Sequence, residues 1–219
     1  MPATPSISVF SDVICPWCFL GKRRLERALD QLGIRDRAAI RWLPFELNPA
    51  MPPDGMERTL YRARKFGADK AALLDREMTA RGRADNIHFA FDRIARTPNT
   101  RKAHMLIAHA SRAGAGDAAA EGLFRAYFER ALDIGREEVL VDVAAEIGLA
   151  RDAALAALSD PDLLTSVVDI EDEAARLDVS GVPFFILDDA WAVSGAQPTP
   201  VWLDILGKGG NSAPEVHAD

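Results

Sequence analysis

The sequence predicts an α/β fold: a βαβ unit at the start, a ββα unit at the end, and a large all-helical insertion between them. Three observations lead there. Short strand-like runs occur only near the two ends, around Ile7 and Val9, at Ile40 to Leu47, at Val182 to Asp188 and at Trp191 to Gly195. From Met56 to Asp178 the apolar residues recur almost throughout at helical spacing. That stretch is too long to be a connection, so it must be an insertion beside a small sheet. The division expected is a discontinuous domain over residues 1–55 and 179–209, an inserted helical domain over 56–178, and a flexible tail over 210–219.

Each element has its own signal. Ile7 and Val9 alternate with polar residues in a strand ending near Ser11. A helix follows to about Leu32, with Phe19, Leu20, Leu25, Ala28, Leu29 and Leu32 on one face and Gly33 as its stop. Ile40 to Leu47 is a second strand, and Pro44 restricts its pairing. One helix is expected from Met56 to Arg81, and then an extended loop carrying Ile87, Phe89 and Phe91. Thr97 reads as an N-cap with Pro98 at N1 of a helix to about Ala113. Further helices cover Asp117 to Leu132, Arg136 to Ile147, Arg151 to Leu158, and the stretch after Asp160-Pro161 to Leu177. The tight Asp188-Asp189-Ala190 turn makes the last two strands an antiparallel hairpin, and a helix from Thr199-Pro200 to about Leu206 closes the fold.

Composition narrows the function. The chain has 219 residues, 48% of them hydrophobic and 27% charged, as in an ordinary globular protein. Its net charge is −7, and its arginines are scattered among acids, so a nucleic-acid surface is not expected. No stretch approaches the ~20 apolar residues of a membrane helix. MPATPSISVFSD has neither the basic region nor the apolar run of a secretory signal, so a cytoplasmic location is expected. In a reducing compartment a cysteine pair serves catalysis or redox cycling rather than as a staple.

The chain's two cysteines, Cys15 and Cys18, flank Pro16 and Trp17 at the start of the first helix. Proline costs nothing there, because the first N–H groups of a helix have no intrahelical partner. Those amides and the helix dipole favour negative charge. Cysteines in Cys-x-x-Cys motifs at helix starts have pKa values of about 3.5–7.5, against about 8.5 when free. Cys15 is therefore the expected nucleophile and Cys18 the resolving thiol. Two buried apolar cysteines, or half of a zinc site, would be alternatives. A closed zinc site needs four ligands, and His88, His104, His109 and His217 form no pair at i, i+4 spacing. A Cys-x-x-Cys between a strand and a helix of a βαβ unit favours the redox reading.

Four segments, SDVICPWCFLGKRRLE, PFELNP, RTPNTRKAHMLIAHA and SGVPFFILDDAWAVSGAQP, resemble the DsbA-like thioredoxin proteins of the cytoplasmic type. These are related to a polyketide-biosynthesis dithiol–disulfide isomerase and, more distantly, to 2-hydroxychromene-2-carboxylate isomerase and kappa-class glutathione transferases. The resemblance spans about residues 7 to 206. It implies a thioredoxin-like domain interrupted by helices, with a cis Val182-Pro183 bond over Cys15. Pro183 would then belong to the catalytic centre, and Val182 would offer its N–H and C=O to an extended substrate. Protein or small-molecule thiols and disulfides are the implied partners, glutathione a possible reductant or co-substrate, and a homodimer a possible assembly; no permanently bound cofactor is implied. The isomerase and transferase relatives carry serine where this chain has Cys15, which favours disulfide exchange over glutathione-dependent chemistry on small aromatic compounds. A chaperone whose helical insertion holds partners is a third reading.

Other residues are candidates on weaker grounds. Pro16 and Trp17 are placed to touch a substrate. Phe89 and Phe91 would line a groove or pack in the core, and Asn99, in a first helical turn, would contact a ligand or the helix start. His104 is expected to be a satisfied helix histidine or to touch a substrate, and Glu46 a solvated or paired strand residue or a proton relay to Cys18. Lys22, Arg23 and Arg24 would be solvated or add positive potential near Cys15.

Overall fold

The computed structural model describes residues 5–207, and the expected tail at 210–219 lies outside them. Strands β1 (Ser6–Ser11) and β2 (Ala39–Pro44) flank helix α1 (Pro16–Gln31) and pair in parallel, Val9 opposite Trp42. Strands β5 (Phe184–Leu187) and β6 (Trp191–Ser194) form the hairpin. β5 runs antiparallel to β1, so the sheet order is β2-β1-β5-β6. Helix α9 (Thr199–Gly207) closes the chain. The βαβ and ββα units are those read from the sequence, and β2 stops at Pro44, whose ring removes a ladder donor.

Alternation along the strands sorts the side chains to two faces. Ile7, Val9, Trp42, Phe185 and Val193 join Phe19, Leu29 and Trp202 in the main core. Phe10 packs on the opposite face with Ala174, Val179 and Ile170. The main core continues without a break into the helical run, through Phe124, Phe128, Val143 and Leu158. Stacking of Phe19 on Phe124, with centroids 5.1 Å apart, joins the redox helix to that run.

Between β2 and β5 lie α2 (Arg58–Phe66), α3 (Ala68–Ala84), α4 (Arg101–Arg112), α5 (Gly116–Phe128), α6 (Glu137–Glu146), α7 (Arg151–Ala157) and α8 (Pro161–Arg176). Asp160 caps α8 and Pro161 occupies its first turn, as expected. Three expectations change. The helix foreseen from Met56 to Arg81 is two helices, broken at Gly67, whose φ of 81° is open to glycine and strained for other residues. The second of them runs on to Ala84, so the loop starts later. Thr97 does not cap a helix. It lies in a two-residue strand, β4 (Arg96–Thr97), paired with β3 (Met56–Glu57), and α4 begins at Arg101. An X-Pro step disfavours helical backbone at X, and here tertiary pairing of Thr97 with Met56 takes it into a strand.

A charge network fastens α1 to α5. Lys22 is 2% exposed, and its ammonium contacts Glu26 and, at 3.0 Å, Asp117. Arg23 contacts Glu26 and Glu121, Arg35 reaches Glu26, and the Trp42 indole N–H donates to Asp117. Lys22, buried, and Arg23, half-buried, thus pair with acids about 95 positions away in sequence instead of forming a solvated face. Arg24 likewise pairs with Asp85 and donates to the Ala196 carbonyl.

Candidate active site

The chain leaves β1 through Asp12, whose carbonyl accepts the Cys15 amide at 2.9 Å. The Asp12 carboxylate also accepts the amides of Ile14 and Leu47, which pins the turn between β1 and α1 to the loop after β2. Cys15 then occupies the N-cap, with extended backbone, Pro16 follows in the first turn, and no acid stands in that turn. Unpaired amides therefore open around the first cysteine with no competing carboxylate.

Both cysteines are free thiols. The Cys15 Sγ points at the Val182 carbonyl, 3.5 Å away. Cys18 has no exposed surface and lies against Cys15. Burial pushes its thiol well up, contact with Cys15 adds to this, and the Ser11 hydroxyl and Asp12 amide beside it oppose the shift. The two sulfurs are therefore unequal: Cys15 is 4% exposed at the cleft wall, and Cys18 lies behind it with no exposed surface and its thiol pushed up. The Val182-Pro183 peptide is cis. Pro183 is buried against α1 at Gly21, where an added Cβ would stand 3.0 Å from the proline Cγ. Glycine inside the helix is what lets the two approach, and the helical pattern alone gives no reason for it.

In front of Cys15 lies a cleft of about 420 Å³. Pro16, Trp17, Gly181 and Val182 form one side, and α2 and α3 form the other. Its apolar floor includes Met78, Phe91, Tyr127 and Phe128. Trp17 is 41% exposed at its edge, and Arg81 lies over the ring at 5.5 Å. Four cationic side chains, Arg58, Arg62, Lys65 and Arg81, line the cleft against two carboxylates, Asp75 and Glu77. This excess of positive charge stands in a chain whose net charge is −7. Asp75 holds Arg58 and Arg62, and Lys65 donates to the Tyr61 hydroxyl. The sequence does not single these residues out, because an Arg- and Lys-rich amphipathic helix reads as a solvated face.

Of the residues expected at the site, Cys15, Pro16, Trp17 and Val182 meet at this cleft, with Cys18 and Pro183 directly behind. Two do not. Phe89 stacks on Phe91 with centroids 4.7 Å apart and lines a separate cavity against α2 and α3. Asn99 lies outside any helix. Its side chain donates to the Met51 carbonyl and accepts the Arg101 amide, so both ends of the amide are committed to anchoring α4. Glu46 pairs with Arg101 rather than Cys18.

The whole described fold, from β1 to α9, matches the DSBA-like thioredoxin domain over residues 6–207. The chain belongs to that family. A probable DsbA oxidoreductase from Streptomyces coelicolor is 30% identical, with a TM-score of 0.85, and the match covers 98% of this chain and 94% of that one. The cytosolic disulfide reductase DsbM from Pseudomonas aeruginosa, solved with GSH, is 18% identical with a TM-score of 0.68, covering 93% and 98%. A 2-hydroxychromene-2-carboxylate isomerase is 16% identical with a TM-score of 0.70, covering 93% and 95%. The last two likenesses are of fold. Among the described residues no helix is long and apolar enough to cross a membrane.

Beyond the cleft, this DsbA-like chain carries a half-buried carboxyl with a shifted titration. Burial pushes the Glu171 carboxyl of α8 up to about 7, with Glu46 beside it adding to the shift and His104 and Arg101 opposing it. A carboxyl raised in the folded state stabilises the fold below its unfolded pKa of about 4.3, and that contribution is lost as pH rises through the folded value. Glu171→Gln should therefore flatten the fall in denaturant midpoint between about pH 4.3 and 7. Parallel pH profiles for the two proteins would contradict this.

Proposed function

We propose that this DsbA-like protein is a thiol–disulfide oxidoreductase that exchanges disulfides through Cys15 and Cys18. The observation that carries the reading is the unequal pair: Cys15 Sγ at the cleft wall, 3.5 Å from the Val182 carbonyl, with a fully buried Cys18 against it. The Cys15 thiolate attacks one sulfur of a substrate disulfide, forming a mixed disulfide and expelling the first substrate thiolate. Cys18 loses its proton and attacks the Cys15 sulfur. A Cys15–Cys18 disulfide forms and the second substrate thiolate leaves. Two electrons pass from the pair to the substrate, and two equivalents of a thiol reductant such as glutathione restore the pair. With a dithiol substrate the same steps run in reverse and leave the protein reduced. Substrates are protein or small-molecule disulfides, and the setting is the cytoplasm; the cytosolic DsbM supports both by likeness of fold.

A test is reduction of insulin disulfides with glutathione as reductant. Wild type should accelerate it and Cys15→Ser should bring the rate down to that of glutathione alone. Equal rates for the two proteins would end the reading.

One observation favours a second reading, a glutathione-dependent isomerase or transferase of small aromatic compounds. The cleft of about 420 Å³ has an aromatic floor and a cationic excess suited to a small anionic molecule. Saturable glutathione binding that survives Cys18→Ser, with turnover of an aromatic substrate, would support it.

A further inference from the structure

For exchange to finish, a thiol with no exposed surface has to lose a proton, and the protein must carry it. On the side of Cys18 away from the cleft, Ser11 stands beside the sulfur. Its hydroxyl oxygen is buried and has no hydrogen-bond partner. Ser11 also lines a small cavity of about 160 Å³ between β2, α4, α5 and α8. Across that cavity stands His104, 3% exposed, with Nε2 buried and unpaired, 3.6 Å from the Asp12 carboxylate. The rest of the lining is largely apolar, Phe124, Ile107 and Ile170 among it. Two orphaned polar atoms in one small chamber give a water the partners it needs, and a chamber of this size holds more than one.

Resting on the exchange reading, we propose that this cavity is the proton exit of the buried thiol, with Ser11 as its entrance and His104, oriented by Asp12, as the acceptor. The Cys18 proton moves to the Ser11 oxygen as the Ser11 hydroxyl proton passes to cavity water and on to the imidazole. The freed electron pair of Cys18 attacks the Cys15 sulfur, the bond from Cys15 to the substrate sulfur breaks, and a substrate thiolate leaves. The imidazolium faces the Asp12 carboxylate from the β1–α1 turn, Glu46 from the loop after β2 and Glu171 from α8. Arg101 on its own helix, paired with Glu46, and Arg41 on β2 are the cations nearby. Glu171, half-buried, passes the proton to solvent. Its carboxyl titrates near neutrality, as such a step requires.

The reduced protein with excess 5,5′-dithiobis(2-nitrobenzoate) separates the steps. Attack by Cys15 releases one coloured thiolate and attack by Cys18 releases the second. His104→Gln and Ser11→Ala should each leave the first release within about twofold of wild type and slow the second by about 10²-fold, the usual scale of acid–base assistance. In both variants the second release should climb about tenfold per pH unit through a range where wild type is level. A second release unchanged in both variants, or slowed no more than the first, overturns the proton exit alone. No first release from the wild type overturns the exchange reading and this inference with it.

Discussion

Cys18→Ser is expected to attack a disulfide once and then stop, holding the substrate on Cys15. Cys18 touches Cys15 and is fully buried, so the second attack is intramolecular and shielded from competitors. Well-oriented intramolecular groups behave as though present at about 10⁵ M or more. An external thiol at millimolar concentration cannot substitute for that, so turnover should fall by at least about 10³-fold. Mass spectrometry of the variant mixed with a disulfide should show the protein plus one substrate half, and dithiothreitol should remove it. Cys15→Ser should show no adduct. Near wild-type turnover by Cys18→Ser, or an adduct on Cys18 in the Cys15 variant, would assign the roles wrongly.

The second large effect concerns stability. Lys22→Met should cost about 3–5 kcal/mol, because removing one partner of a buried ion cluster strands the others. Glu26, Asp117 and Glu121 all stand within 3.6 Å of the Lys22 ammonium. In a chain of this size that corresponds to roughly 10 °C in Tm. Lys22→Met with Glu26→Gln should recover part of the loss, because an amide does not need the cation. Burial by itself would raise the Glu26 carboxyl, but Lys22 and Arg35 overcome it and hold the group at about 2. A carboxyl lowered in the folded state stabilises the fold above its unfolded pKa, and that contribution disappears as pH falls through the folded value. Its size is roughly 3 kcal/mol, so acid unfolding of wild type should steepen between about pH 4.3 and 2. Glu26→Gln should remove that steepening. A Lys22→Met protein as stable as wild type, with an unchanged acid limb, would show the network to be dispensable.

Much of the site was legible because its parts are local. A strand ending at Ser11, a proline inside Pro16–Gln31, and cysteines three positions apart at the helix start are readable within one turn of chain. The Gly-Val-Pro step and the hairpin behind it are equally local. What could not be read depended on partners far along the chain. Periodicity on both sides of Gly67 hid the helix break there, because a single positive φ leaves the apolar spacing intact. Phe89 and Asn99 looked available for a ligand, yet Phe91 and Phe128 take the ring, and the Met51 carbonyl takes the amide.

The sequence by itself determined the frame of the backbone: the four strands of the main sheet, the helical run that interrupts it, and the cysteine pair that opens α1. Those follow from steric preference, capping and hydrophobic period, which act over a few residues. Tertiary structure alone decided how the cysteines differ, what surrounds the cleft, and where each buried charge finds its opposite. Arg101 meets Glu46, Lys22 meets Asp117, and Val182 meets Cys15 across 55, 95 and 167 positions. Packing brings such groups together, and the cost of leaving a buried polar group unpaired then selects the partners.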